Sequence, residues 1–323
     1  MSPSSETLRV RVTKKTREAT DVCSLELVCA KGQALPAFAA GAHIDIHLQG
    51  VGLTRQYSLC NDPAETYRYQ IAVLKDAKSR GGSTAMHALQ VGDQLIISAP
   101  KNHFPLNEAA PRSLLLAGGI GVTPILSMAE RLAALGSAFD MHYCTRSEER
   151  AAFVERIRNA PFAAQVQLHF DDGNAAQKLD LSALLTAPHA QTHLYVCGPK
   201  GFMDAVLATA RAANWPEAQL HSEFFSAELV KFDSDGSFEV KLASSGRVVV
   251  VPKDQTIIQA LADAGIEVPT SCEQGVCGTC VTGVLAGVPD HRDMYLTPAE
   301  QAANTQCVPC CARSKTPMLV LDL

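Results

Sequence analysis

Apolar and polar residues alternate in short runs over residues 7 to about 107. In His43-Ile44-Asp45-Ile46-His47-Leu48 the isoleucines and leucine fall on one side and the polar groups on the other, the period of two that marks a half-buried strand. Further strands are predicted over 55–59, 67–74 and 93–98. They are separated by turns at Gly50-Val51-Gly52, Asn61-Asp62-Pro63 and Gly81-Gly82, with one short helix at 84–89. Short antiparallel strands at this spacing predict a small β-barrel over 1–108.

The pattern changes near residue 113. A continuous apolar run, Leu114-Leu115-Leu116-Ala117, enters a glycine-rich turn and then a helical stretch over 124–135, ended by Gly136. Strands at 139–145, 166–170 and 193–197 alternate with helices at 151–159 and 201–213, which predicts a doubly wound parallel α/β sheet over 109–226. A polar linker, 227–236, leads to a hairpin at 238–242 and 247–251 and a helix at 256–264, the start of a third, α+β domain over 237–323. No internal repeat is present at solenoid or propeller period, so the expectation is a multidomain chain of three different modules.

Composition narrows the classes of function. With 47% hydrophobic and 19% charged residues the chain is globular, and a net charge of −5 gives no electrostatic reason to expect nucleic acid or an anionic membrane as partner. No apolar run approaches the length of a bilayer span, and the polar start lacks a secretory signal, so the expected location is cytoplasmic. Eleven cysteines are many for that compartment, and their clustering near residues 272–311 points to metal ligation.

The cysteine segment Cys272-Glu273-Gln274-Gly275-Val276-Cys277-Gly278-Thr279-Cys280 has the C-x4-C-x2-C spacing of plant-type [2Fe–2S] proteins. Small residues at 275 and 278 let the loop wrap closely, with its N–H groups toward the sulfurs. A structural zinc also takes four cysteines, but favours paired short spacings. Spacing alone leaves the fourth ligand open among Cys307, Cys310 and Cys311.

Two glycine turns complete a second constellation. Ala117-Gly118-Gly119-Ile120-Gly121-Val122-Thr123-Pro124 follows a strand and opens a helix, so its N–H groups can receive a pyrophosphate. Tyr195-Val196-Cys197-Gly198-Pro199-Lys200-Gly201 is another strand-to-helix turn whose small groups leave space for a nicotinamide ring; the bland reading of Cys197 is a buried small hydrophobe. Asp171-Asp172 follow the strand at 166–170, where a carboxylate can bond a ribose 2′-hydroxyl and repel a 2′-phosphate, which favours NADH. In the barrel, Arg55-Gln56-Tyr57-Ser58 combines a phosphate-binding cation, an aromatic ring and a hydroxyl. Ser79-Arg80-Gly81-Gly82-Ser83-Thr84 offers a phosphate nest, or simply a glycine hairpin.

Carried by these motifs, in this order, and by the ending Leu319-Val320-Leu321-Asp322-Leu323, the chain resembles the phthalate dioxygenase reductase family over residues 7–323. The resemblance implies an FMN-binding barrel, an NADH-binding domain and a β-grasp ferredoxin domain, with Cys310, three residues before Arg313, as the last cluster ligand. It also implies that Phe225 covers the flavin, with Phe224 as the local rival, and that Ala72, Val73 and Leu74 belong to the cofactor site. Cys307 and Cys311 are then bystanders.

The mechanism expected is delivery of hydride from NADH to flavin, with Thr123 and Cys197 at the nicotinamide and Tyr57 and Ser58 at the isoalloxazine. Single electrons then pass through the cluster to a separate Rieske-type oxygenase, because no Rieske pattern or facial iron triad is read in the chain. The protein is expected to be monomeric. The competing readings are a flavin and [2Fe–2S] NADH reductase for other acceptors, and a redox enzyme carrying a zinc-held binding module.

Overall fold

The computed structural model describes residues 7–77, 79, 81–186, 191–225 and 235–323. They form two compact units, Met1–Glu223 and Phe224–Leu323.

The first unit begins with β1 (Thr7–Ala19), β2 (Val22–Cys29), β3 (His43–Leu48), β4 (Leu53–Ser58), β5 (Tyr69–Leu74), the short helix α1 (Gly82–Ala88) and β6 (Gln94–Ser98). The strands form one sheet in the order β4-β3-β6-β1-β2-β5. A bridge between Leu59 and Ile71, with Cys60 N donating to Gln70 O at 2.9 Å, joins the two ends and closes a barrel. Alternation sends Val10, Val12, Leu25, Leu27, Ile44, Ile46 and Ile71 inward, all fully buried.

Next come β7 (Arg112–Gly118), α2 (Val122–Leu135), β8 (Ala138–Thr145), α3 (Val154–Arg158), β9 (Val166–Phe170), α4 (Leu181–Leu184), β10 (Thr192–Cys197), α5 (Lys200–Ala212) and β11 (Leu220–Glu223). The strands run parallel in the order β11-β10-β7-β8-β9, and the apolar run in central β7 is buried, as a strand covered on both faces requires. Gly136 ends α2 at φ 66°, a left-handed cap. The helix expected over 151–159 is only five residues long. Phe153, 3% exposed, sits at φ 62° directly before it, so the chain enters helical geometry only at Val154.

Barrel and sheet share one core: Ala19, Val22 and Phe104 of the barrel side pack with Leu115, Tyr143 and Tyr195 of the sheet. Phe104 meets Tyr195 edge-on at 5.9 Å, and the Tyr195 hydroxyl accepts from Asn107 N at 2.8 Å.

The second unit contains β12 (Phe238–Leu242), β13 (Val248–Val251), α6 (Ile257–Asp263), β14 (Thr282–Ala286), β15 (Pro289–Asp290), α7 (Pro298–Ala303), β16 (Gln306–Cys307), β17 (Arg313–Ser314) and β18 (Met318–Leu321). Its main sheet has the order β13-β12-β18-β14-β16, with β12 and β18 parallel. Ile257, Ala260 and Leu261 of α6 pack with Val240, Val251, Leu319 and Leu321. Thr256 with Gln259, and Thr297 with Glu300, form capping boxes that start α6 and α7. Asp235 is clamped by Arg292 through bonds of 2.9 and 2.6 Å, while Arg313 donates to Gly236 O at 2.7 Å and lies over the Phe238 ring at 5.0 Å. These buried ion pairs fix the chain where it enters the unit. Residues 227–234 of the expected linker 227–236 lie outside the described residues.

Candidate functional site

The two glycine turns meet at the carboxyl edge of the parallel sheet. A Cβ on Gly121 would lie 2.3 Å from Cys197 O, and one on Gly198 would lie 2.9 Å from Gly118 Cα. The glycines are therefore needed first to let one turn pack on the other. Among them only Gly119 has a positive φ, 53°, and its Cβ position is open. Thr123 is buried and its hydroxyl donates to Ile120 O at 3.1 Å, tying the turn to the first turn of α2, beside Pro124. Pro199 opens α5 as its N-cap. Asp171 is exposed on the same edge, its amide donating to Thr145 O at 3.0 Å.

Ser58, at the end of β4, donates to Glu223 Oε2 at 3.4 Å, joining the barrel to the end of β11. Cys197 pairs with Glu223 in the β10–β11 register, so hydroxyl, carboxyl and thiol converge on one spot. Glu223 is half-buried. Burial lifts its pKa to about 8, against the opposing Ser58 hydrogen bond. The Cys197 thiol is 1% exposed and is pushed well above its usual value by burial and then by the Glu223 charge, so it is a neutral thiol and no nucleophile.

On the barrel side, Arg55 and Tyr57 share one face of β4 while Gln56 and Ser58 share the other. A Cβ on Gly82 would strike Arg55 Cγ at 2.9 Å, so the arginine lies along the glycine pair; Gly81 has φ 101°, and Ser79 Oγ accepts its amide at 3.1 Å. Ser83 Oγ accepts from Asp76 N at 3.1 Å. Burial raises the Tyr57 phenol above its ordinary value, with Arg55 opposing, and the ring packs against the barrel core. Gln56 spends its amide on Asp45 Oδ1 at 3.0 Å. Ala72 and Val73 are buried in the core, and Leu74 is 41% exposed. Arg80 lies outside the described residues, and Phe225 is 37% exposed.

The cysteine segment is a loop held from both sides. Gly275 has φ 74°, and its missing side chain admits Cys311 Sγ at 2.6 Å and Asp293 Cα at 3.1 Å. Met294 N donates to Gly275 O at 3.0 Å, and the Tyr295 ring fills the place of a Gly278 side chain. Among the described residues no three His, Cys, Asp or Glu side chains close around a single ion. The thiols instead approach one another as a group: Cys272 lies with Cys277, Cys280 with Cys310, and Cys310 also touches Cys272 and Cys311. A two-iron cluster would take four thiolates, and Cys272, Cys277, Cys280 and Cys310 stand close enough together to supply them. Cys311 faces Gly275, and Cys307 is fully buried in the core of the unit, where burial pushes its thiol up to about 12.

Sequence reasoning missed Glu223, whose neighbours Phe224 and Phe225 drew attention instead. The polar side of β3 is covered as well: His43 and Asp45 are each 4% exposed. Lys101, paired with His43 through both main-chain groups, covers that face and donates to Asp45 Oδ2 at 2.6 Å. The signal was the strict polar alternation of β3, which does not tell solvent from a polar contact.

Residues 240–315 match the 2Fe-2S iron-sulfur cluster binding domain, and residues 95–220 match the N-terminal domain of the dimethylamine monooxygenase subunit DmmA-like family. The chain is 56% identical over 306 residues to vanillate O-demethylase oxidoreductase of Pseudomonas sp. (strain HR199 / DSM 7063), covering 94% of this chain and 96% of that one. It resembles part of an intact type IV self-sufficient cytochrome P450 monooxygenase, with a TM-score of 0.85 and 38% identity, over 98% of this chain but 41% of that one. The solved phthalate dioxygenase reductase, described as a modular structure for electron transfer from pyridine nucleotides to [2Fe–2S], matches with a TM-score of 0.76 and 38% identity over 98% of both chains. With that likeness along its whole length, and with a match to the 2Fe-2S iron-sulfur cluster binding domain over residues 240–315, this chain is an oxidoreductase of the phthalate dioxygenase reductase family.

Proposed function

We propose that this chain takes hydride from NADH onto FMN and sends single electrons through a [2Fe–2S] cluster to a separate Rieske-type oxygenase. The observation that carries the first half is the reach of Ser58, in the barrel, to Glu223 at the edge of the nucleotide-binding sheet beside Cys197. A flavin held by the barrel and a nicotinamide held by the two glycine turns would meet there. Bound flavin supplies the conversion of a two-electron donor into one-electron steps, and the cluster accepts one electron at a time.

The chain's residues do the placing. Arg55 with Gly81, Gly82 and Ser83 fits a phosphate monoester, as the close arginine–glycine packing supports. Tyr57 and Ser58 border the isoalloxazine, with Phe225 as its cover by family resemblance. Thr123, Gly119 and Cys197 border the nicotinamide nucleotide, and Asp171, exposed at the sheet edge, favours NADH by repelling a 2′-phosphate. Cys272, Cys277, Cys280 and Cys310 hold the cluster, as the thiol pairs support. The barrel over 1–108, the nucleotide domain over 109–226 and the ferredoxin domain over 237–323 are the working modules of a monomeric, cytoplasmic protein.

The test is a visible spectrum with iron and flavin analysis, followed by stepwise NADH addition. FMN with two irons per chain, both bleached by NADH, is the expected result. Zinc without flavin would overturn the proposal.

A further inference from the structure

The phosphate site proposed above is built from two separate elements. Arg55 belongs to β4, where its Nη1 donates to Thr54 O at 2.7 Å, while Gly81, Gly82 and Ser83 belong to the start of α1. The fit between them is close, since a Cβ on Gly82 would strike Arg55 Cγ at 2.9 Å. A slip of α1 along its axis would part the glycine pair from the guanidinium.

By itself α1 has little to hold it. It is seven residues long and opens with Gly82-Ser83-Thr84, weak helix formers. Even good helix formers are marginal in isolation below roughly 12 residues. Met86 is fully buried, and Ala85 and Leu89 pack beside it on the barrel core. Apolar burial is non-directional and does not fix a helix along its axis. The directed bonds lie at the far end.

We propose that Lys15 is a positioning residue for the flavin phosphate: it grips the last turn of α1 and so sets the glycine pair against Arg55. The inference rests on the phosphate site proposed above. Lys15 Nζ donates to His87 O at 2.6 Å and to Leu89 O at 2.9 Å, carbonyls that the end of a helix leaves without intrahelical partners. His87 adds a second hold, with its Nε2 2.9 Å from Val73 O on β5. Beside a carbonyl that nitrogen carries the proton and donates. The helix is thus fastened to β1 through its main chain and to β5 through a side chain.

A β-bulge in β1 brings the lysine to this place. Val12 stands opposite Leu27, so strict pairing would set Lys14 opposite Leu25. The register shifts between Val12 and Lys14, and Lys15 takes the position opposite Leu25 instead. Leu25 is fully buried in the same core as Met86, and directly opposed residues share a face, so Lys15 is turned toward the side on which α1 is seated. A cation on that side is costly unless its donors are met, and the two carbonyls meet them. Lys15 acts through α1 and is not itself a phosphate ligand.

The test strips flavin from the full chain and titrates it with FMN and with riboflavin, which has the same ring and ribityl chain but no phosphate, following quenching of flavin fluorescence. In Lys15→Met the Kd for FMN should rise by about tenfold, the loss of hydrogen bonds to a charged donor, while the Kd for riboflavin stays that of the wild type. Lys15→Arg, which keeps a cationic donor of similar reach, should recover most of the FMN affinity. An FMN affinity unchanged in Lys15→Met, no recovery in Lys15→Arg, or an equal loss for FMN and riboflavin would overturn the proposal, the last because a merely structural support would weaken both. If Lys15→Met does not fold, His87→Leu should show the same FMN-selective loss, and an unchanged ratio of the two Kd values there counts against it. Equal Kd values for FMN and riboflavin in the wild type are a different result and would overturn the phosphate site on which the clamp stands.

Discussion

Replacing Glu223 by Gln should remove a pH dependence of stability that the wild-type chain carries. In the folded chain the Glu223 pKa stands near 8, against an ordinary 4.5. The folded state therefore keeps a proton that the unfolded chain has already lost, so stability is fully present below pH 4.5 and is lost as pH rises to about 8. At about 1.36 kcal/mol per unit the full displacement would be on the order of 4–5 kcal/mol. Glu223 is half-buried, and water reaching it screens part of this, leaving about 2 kcal/mol.

The assay is urea unfolding of the flavin-free chain at pH 5.5, 7 and 8.5. The single tryptophan, Trp215, is 5% exposed and lies in the same unit as Glu223, so its fluorescence reports that unit alone. The wild-type midpoint should fall across this range, while that of Glu223→Gln should fall less by the equivalent of about 2 kcal/mol. Equal pH slopes in the two proteins would refute the argument that this carboxyl group is desolvated.

Gly121→Ala would press a methyl group onto the Cys197 carbonyl and should cost about 3 kcal/mol, seen as a lower Tm together with weaker NADH binding. Cys310→Ser should lose the cluster, measured as iron content and visible absorbance, whereas Cys307→Ala and Cys311→Ala should retain it; loss in Cys311→Ala would move the ligand to the neighbouring position. Asp235→Asn leaves Arg292 and Arg313 without their shared carboxylate, each about 9% exposed or less, and should destabilise the second unit by about 3 kcal/mol in thermal unfolding followed by cluster absorbance. Asp171→Gly should raise the kcat/KM for NADPH relative to that for NADH, and an unchanged ratio would remove Asp171 from the ribose site.

Local signals carried much of this protein in its sequence. The period-two alternation of β3, the unbroken apolar run of β7 and the Gly136 stop after α2 each encode their element in a few residues, because strand pleat, double burial and a left-handed cap are local requirements. The C-x4-C-x2-C segment is equally local, since three ligands on one loop must be spaced to wrap a cluster. The short α3 was not legible, because what fixes Phe153 at positive φ is the core that its ring enters. For the same reason the cover over the polar side of β3 was not legible: alternation records that His43 and Asp45 are polar and cannot record that Lys101 covers them.

The sequence by itself determined the modules, their order, and three of the four cysteines that pair. Only the tertiary structure decided that Cys310 comes to Cys280 and that Glu223 meets Ser58. Those relations join residues 30 to 165 positions apart. Propensity and periodicity act within a turn or a strand, and contacts at such separation exist only after the chain has closed its core.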